Sequence, residues 1–214
     1  MSKIIFVSLL MIFSIVGFSQ DIALLKYQGG GDWYSNPTAL PNLISFSNEQ
    51  IGTDINPKPI TVETESPELF NYAFVYMTGH GNVYFSEQEA QNLRAYLLSG
   101  GFLLVDDNYG MAPYFMEAIK TVFPDKNLVE LSASHPIFNA HFNFEKGLPK
   151  IHEHDGLPPQ AFGLFDDDRL ILLFTFESDL GNGWEDPEIH NDPEEVRLKA
   201  LKMGANIIKH VFTK

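Results

Sequence analysis

Cysteine is absent from all 214 residues of the chain. Its absence removes every mechanism that needs a thiolate nucleophile or thiolate metal ligand, and it leaves no disulfide to staple the fold. Basic residues are scarce: 14 Lys and Arg stand against 28 Asp and Glu, a formal charge of −14. Nucleic acids and anionic membrane surfaces are recognised through basic patches, so no nucleic-acid partner is expected. A polar small molecule, a glycan, a cation or an envelope protein fits this balance better. No Gly-x-Ser-x-Gly elbow occurs, which leaves nucleophilic serine chemistry without its usual signature.

Long apolar runs are also missing, with one exception at the start. Ile4 to Phe18 is interrupted only by Ser8 and Ser14, follows Lys3, and ends with small residues at Gly17 and Ser19. A membrane anchor normally needs ~20 apolar residues, so the run reads as a signal peptide over residues 1–19. The expectation is an exported protein, periplasmic or secreted, with no stable membrane span after cleavage. Residues 20–214 then form a single α/β domain. The 44% hydrophobic content and 18 Phe are enough for a sizeable core without disulfides.

Along that domain, apolar runs alternate with helical patterns, as in a parallel sheet covered by helices. Strands are expected at Ile22–Tyr27, Ile60–Val62, Ala73–Met77, Phe102–Val105 and around Leu128–Leu131. A hairpin, Gln160–Phe165 and Leu170–Phe176, turns at Asp166-Asp167-Asp168. Asn36-Pro37 reads as a cap and first-turn proline for a helix reaching about Ser47. Ser86 and Glu89 form a capping box for a helix whose Ala90, Leu93 and Leu97 share a face, stopped by Gly100-Gly101. A further helix runs from about Pro113 to Phe123. Asp192 caps a C-terminal helix with a stripe of Val196, Ala200, Met203, Ile207 and Val211. The stretch from His135 to Pro159 is irregular.

GGGDWYSNPTALPNL, MTGHGNVYFSEQEAQNLRAYLLSGGF, VDDNYGM, HPIF, GLPKIHEHDG and GWED together resemble one bacterial family, domain of unknown function 4159. The resemblance covers nearly the whole domain. The family is similar to the class I glutamine amidotransferase-like superfamily and, within it, to the trehalose-utilisation (ThuA-like) branch. That implies a flavodoxin-like three-layer α/β/α sandwich with a mainly parallel sheet. Amidotransferase-type members use a cysteine activated by a histidine. Here Gly79-His80-Gly81 follows the Ala73–Met77 strand and no cysteine exists, so that activity is not carried over.

In an open α/β sheet, ligands sit beyond the carboxyl ends of the strands. Polar groups recur at those ends: Asp32, Trp33 and Tyr34 after the first strand, His80 and Asn82 after the third, Asp106, Asp107 and Asn108 after the fourth. Glu177, Asp179, Trp184, Glu185 and Asp186 follow the last. Asp32, Trp33, Tyr34, His80, Asn82, Asn108 and Trp184 are candidate ligand contacts. The triple glycine before Asp32 serves either a close backbone approach to a ligand or a tight turn. Asp106, Asp107 and His80 are the candidate acid–base groups, although an aspartate there also serves as a helix cap. His152, His154 and Asp155 are the candidate ligands for a divalent metal; the two histidines need a third ligand from a distant loop, with His80, Asp107 or His190 the available suppliers, and hydrogen bonding to loop carbonyls is the alternative. Three functional expectations follow. The first is a ligand-binding domain for a carbohydrate- or peptide-like molecule, the second a metal-assisted hydrolase using the His/Asp cluster, the third an interaction module of an envelope assembly.

Overall fold

A computed structural model describes residues 19–213, and the side chains from Asp21 onward. The expected leader lies outside the described residues except for Ser19, which opens the first strand. Among the described residues no helix is long and apolar enough to cross a membrane.

The strands are β1 (Ser19–Lys26), β2 (Ile60–Glu63), β3 (Tyr72–Gly79), β4 (Phe102–Asp107), β5 (Val129–Glu130), β6 (Gln160–Asp166) and β7 (Arg169–Phe176). They form one sheet in the order β2-β1-β3-β4-β7-β6-β5. Its first five strands run parallel, and β6 and β5 continue it in antiparallel fashion through the expected hairpin. The central strands are apolar on both faces, as a sheet covered twice must be. Ala23, Leu25, Val75, Met77, Leu103 and Val105 point to one side. Ile22, Phe74, Tyr76, Phe102 and Leu104 point to the other.

Helices α2 (Glu87–Leu98) and α3 (Ala112–Val122) cover the first face through Leu93, Leu97, Phe115 and Ile119. Helices α1 (Ala39–Ile51) and α6 (Glu194–Phe212) cover the second through Leu43, Ile44, Met203 and Ile207. Two short helices, α4 (Leu180–Trp184) and α5 (Pro187–His190), join β7 to α6. The chain thus leaves β1 over one face and its neighbour β3 over the opposite face. The carboxyl ends of β1 and β3 are therefore the topological switch point of the sheet.

The Ser86–Glu89 capping box is present in both directions. Two other expected caps are not. Thr38, not Asn36, occupies the N-cap of α1, and Asn36 sits in the left-handed region at φ 59° with its carboxamide turned away. Pro193 precedes α6, and Asp192 bonds elsewhere. Both side chains were released from capping to join the cluster described next.

Candidate functional site

At the switch point the two loops close on each other. Gly31 N–H donates to Asn82 O at 3.1 Å and Tyr84 N–H donates to Gln28 O at 2.9 Å. A Cβ on Gly31 would lie 2.7 Å from Asn82 O, and one on Gly29 would lie 2.8 Å from Tyr84 N. The glycines thus permit loop-on-loop packing, the turn-like of the two expected roles. Asp32 pins the pair by accepting from His80 N–H at 2.5 Å while its other oxygen lies 2.9 Å from His80 Nδ1. Trp33 packs partly buried against the core and meets Tyr34 edge-to-face at 5.5 Å. It lines a hollow beside β2 with Lys26, Thr61 and Glu63.

Beside this corner, over the ends of β4 and β7, the chain buries carboxylates. Asp106 is fully buried; Thr175 Oγ1 donates to one of its oxygens at 2.5 Å and Gly181 N–H to the other at 2.6 Å. Burial pushes its pKa up to about 7, opposed by those two bonds and reinforced by the charges of Asp179 and Asp107. Asp107 accepts from Met111 N–H at 2.8 Å, capping the approach to α3, and burial pushes it up to about 6. Of the two, Asp107 bonds as a cap would, while Asp106 is held inside the fold by Thr175 and Gly181. Gly181 is obligatory here, since a Cβ would sit 2.5 Å from Tyr76 OH and 2.7 Å from Asn36 Nδ2.

Three carboxamides link the elements. Asn36 Nδ2 donates to Asn182 Oδ1 at 2.8 Å, and Asn108 Nδ2 donates to Asn36 Oδ1 at 3.0 Å. Segment 149–155 then straps across the edge. Ile151 N–H donates to Ser178 O, Ser178 Oγ donates to Pro149 O, and Lys150 meets Glu177 at 2.5 Å. His154 Nε2 lies 2.5 Å from Asp179 Oδ2, and His152 Nδ1 lies 3.4 Å from the same oxygen. The far nitrogen of His152 meets Asp192 at 2.9 Å. The bond to Asp179 and then the proximity of Asp192 raise the His152 pKa above its ordinary value, against the opposing effect of partial burial.

Asp179 is fully buried, and its second oxygen, Oδ1, has no hydrogen-bond partner among the described residues. Asn36, Tyr109, Glu177 and Asp179 all hold positive φ, which costs Tyr109 and Glu177 about 1–2 kcal/mol each and Asn36 and Asp179 less. All four stand on segments at this edge.

The structure therefore brings His80, Asp106, Asp107, Asn108, His152 and His154 to one edge. Trp184 is withdrawn from it. Its ring is fully buried against Tyr76 and its Nε1–H donates to Ala200 O at 2.8 Å, which makes it a core residue with no surface to offer a ligand. Asp155 turns from the histidines and accepts from Tyr109 OH at 3.0 Å, so Asp179 is the carboxylate both imidazoles approach. Among the described residues no group of three His, Asp or Glu is arranged to hold a metal ion. Asn36 and Asp192 escaped detection because each precedes a proline and reads as a cap; Asn182 stands in a glycine-rich turn that gave no signal.

The model of the family described as Domain of unknown function (DUF4159) matches residues 21–212. The chain belongs to that family. No curated protein matches the sequence.

Proposed function

We propose that this DUF4159 chain is an exported domain, periplasmic or secreted, that binds a polar carbohydrate- or peptide-like ligand over the carboxyl edge of its sheet. Kinship with the class I glutamine amidotransferase-like superfamily and its ThuA-like branch belongs to the same reading. The motifs and the seven-stranded sheet support it, and the lack of cysteine argues against amidotransferase activity. The leader-like run from Ile4 to Phe18 supports export.

One observation carries the binding reading. Carboxamides, imidazoles and carboxylates from five separate segments meet beneath a strap, on strained backbone, around an aspartate with one unanswered acceptor. An unpaired buried oxygen costs about 1–3 kcal/mol, a cost that a donor from a ligand would offset. The oxygen is closed to solvent, so a ligand hydroxyl or amine reaches it only when the 149–155 strap is displaced.

The seven histidines make the test direct. His80, His152, His154 and His190 lie on this edge, whereas His135 and His210 pack together near Phe165 at the opposite edge. Imidazole Cε1–H resonances are followed while maltohexaose, chitohexaose or a peptidoglycan stem tetrapeptide is added. Binding at the edge moves His152 and His154 and leaves His135 and His210 in place. If all three probes leave the edge histidines unmoved at millimolar concentration, the reading fails.

A further inference from the structure

The eight tyrosines sort into two sets. Tyr27, Tyr72, Tyr76 and Tyr96 are buried, at 8% exposure or less. Tyr34, Tyr84, Tyr109 and Tyr114 are 45–64% exposed. Every member of the exposed set stands on a segment that leaves the carboxyl end of β1, β3 or β4. The other exposed large apolar side chains are aliphatic and scattered, and no described Phe is exposed. The aromatic rings on show are thus hydroxyl-bearing ones, and all stand on the side of the molecule that carries the polar cluster.

These rings are held on fixed backbone. Tyr84 is bonded through its N–H to Gln28 O, and Tyr114 through its N–H to Met111 O in the first turn of α3. The two line one open hollow of about 360 Å³ together with Asn82, Glu117 and Thr121. Tyr109, strained at φ 76°, stacks on His154 with ring centroids 4.2 Å apart and so joins this row to the strap. Exposed tyrosines on fixed backbone offer contact area at low entropic cost, since the side chain has only two rotatable angles to lose on binding.

We propose that this row of tyrosines is a binding surface for a neutral polysaccharide, with Tyr84 and Tyr114 forming one sugar subsite and Tyr109 leading the chain toward His154 and the carboxamides. The inference rests on the carboxyl-edge reading and narrows its ligand class. Sugar rings present C–H faces to aromatic faces and hydroxyls to Asn, Thr and carboxylate groups, and this surface supplies both kinds of partner. A charge of −14 repels polyanionic glycans. A peptide would seek backbone partners, yet the loops here are already paired to each other, and the free sheet edges lie at β2 and β5.

The test titrates the mature protein with chitohexaose, cellohexaose, maltohexaose, laminarihexaose and mannohexaose as separate probes, following calorimetric heat. At least one binds the wild type with a Kd of about 1 mM or tighter. The Tyr84→Ala/Tyr114→Ala double variant loses about tenfold or more in affinity, equivalent to about 1.4 kcal/mol. The Tyr84→Phe/Tyr114→Phe variant retains binding within about threefold, because stacking needs the ring. Melting temperatures close to wild type show that the losses are local. The proposal is overturned if none of the five hexasaccharides binds, if binding is indifferent to the alanine pair, or if a proline-rich decapeptide binds through the same tyrosines and no sugar does. Should the stem tetrapeptide move the edge histidines while no sugar binds, the edge reading stands and this one falls.

Discussion

Two adjoining regions of one sheet edge are built in opposite ways. At the β1–β3 corner, loops are joined by main-chain hydrogen bonds and made possible by glycines, with one half-exposed Asp32–His80 pair on top. Over β4 and β7, apart from the main-chain bond of Ile151 to Ser178, the segments are joined through side chains that titrate or carry amides: Asp106, Asp179, His152, His154, Asn36 and Asn182. Main-chain bonds do not change with pH, whereas carboxylate–imidazole bonds do. The switch point, where ligands of open α/β sheets commonly sit, is here the rigid part, and the adjustable chemistry lies next to it.

The largest expected effect tests the rigid corner. Gly31→Ala forces a Cβ to within 2.7 Å of Asn82 O, 2.8 Å of Tyr27 OH and 2.9 Å of His80 O. Two of those atoms are backbone and cannot rotate aside. The variant should lose about 3 kcal/mol or more in urea unfolding, or fail to fold. Gly30→Ala, one residue away with nothing within 4 Å but φ 88°, should lose only about 1–2 kcal/mol. Equal losses would mean that loop packing is not what the glycines serve.

Next comes the pH dependence of the titrating region. Burial raises Asp106 from 3.8 to about 7, so its neutral form is the one the fold prefers. The contribution to stability is complete below pH 4 and is lost as pH rises through 7. Over that span it amounts to on the order of 4 kcal/mol. Asp106→Asn keeps an acceptor for Gly181 N–H and offers its NH₂ to Thr175 Oγ1. It should therefore be more stable than wild type at pH 8, similar at pH 4, and flatter between them in unfolding measured at successive pH values. A variant as steep as wild type would place the proton elsewhere in the cluster.

The contrast between the regions also explains what the sequence disclosed. Strands and helices were legible because two-sided apolar runs and the Ser86–Glu89 box are local signals. The edge itself was legible because parallel winding brings distant loops together. Individual roles were not. Asn36 and Asp192 carry the local grammar of helix caps, and only tertiary competition from Asn108, Asn182 and His152 draws them off. Trp184 follows the last strand as a site residue would, yet its fate depends on Gly204 leaving space under its ring, a contact across 20 residues. Asp155 neighbours His154 in sequence, but Asp179, brought up by β7, takes the imidazole instead.

A smaller effect is expected at His152. Its raised pKa means that the imidazolium is favoured in the fold by Asp179 and Asp192. That stability is present below the ordinary histidine value of 6.5 and is lost as pH rises through the folded one. His152→Gln should lose about 1–2 kcal/mol at pH 5.5 and little at pH 9, measured by urea unfolding at both. A loss independent of pH would assign the residue to packing alone.

The smallest effect belongs to the one carboxylate–imidazole pair of the rigid corner, and it sharpens the comparison most. In Asp32→Asn the side-chain oxygen still accepts from His80 N–H, and the new NH₂ faces His80 Nδ1, which accepts in one of its neutral tautomers. The pair is open to water, with side-chain exposures of 49% for His80 and 34% for Asp32, so screening limits its electrostatic worth to about 1 kcal/mol at most. The loops beneath remain joined by Gly31–Asn82 and Gln28–Tyr84 bonds that contain no titrating atom. Asp32→Asn should accordingly shift unfolding by less than about 1 kcal/mol at both pH 5 and pH 8, and by less again in high salt, which screens the wild-type pair. If it instead changes the pH slope as much as Asp106→Asn does, the corner depends on its ion pair, and the division into a main-chain scaffold and a titrating neighbour fails.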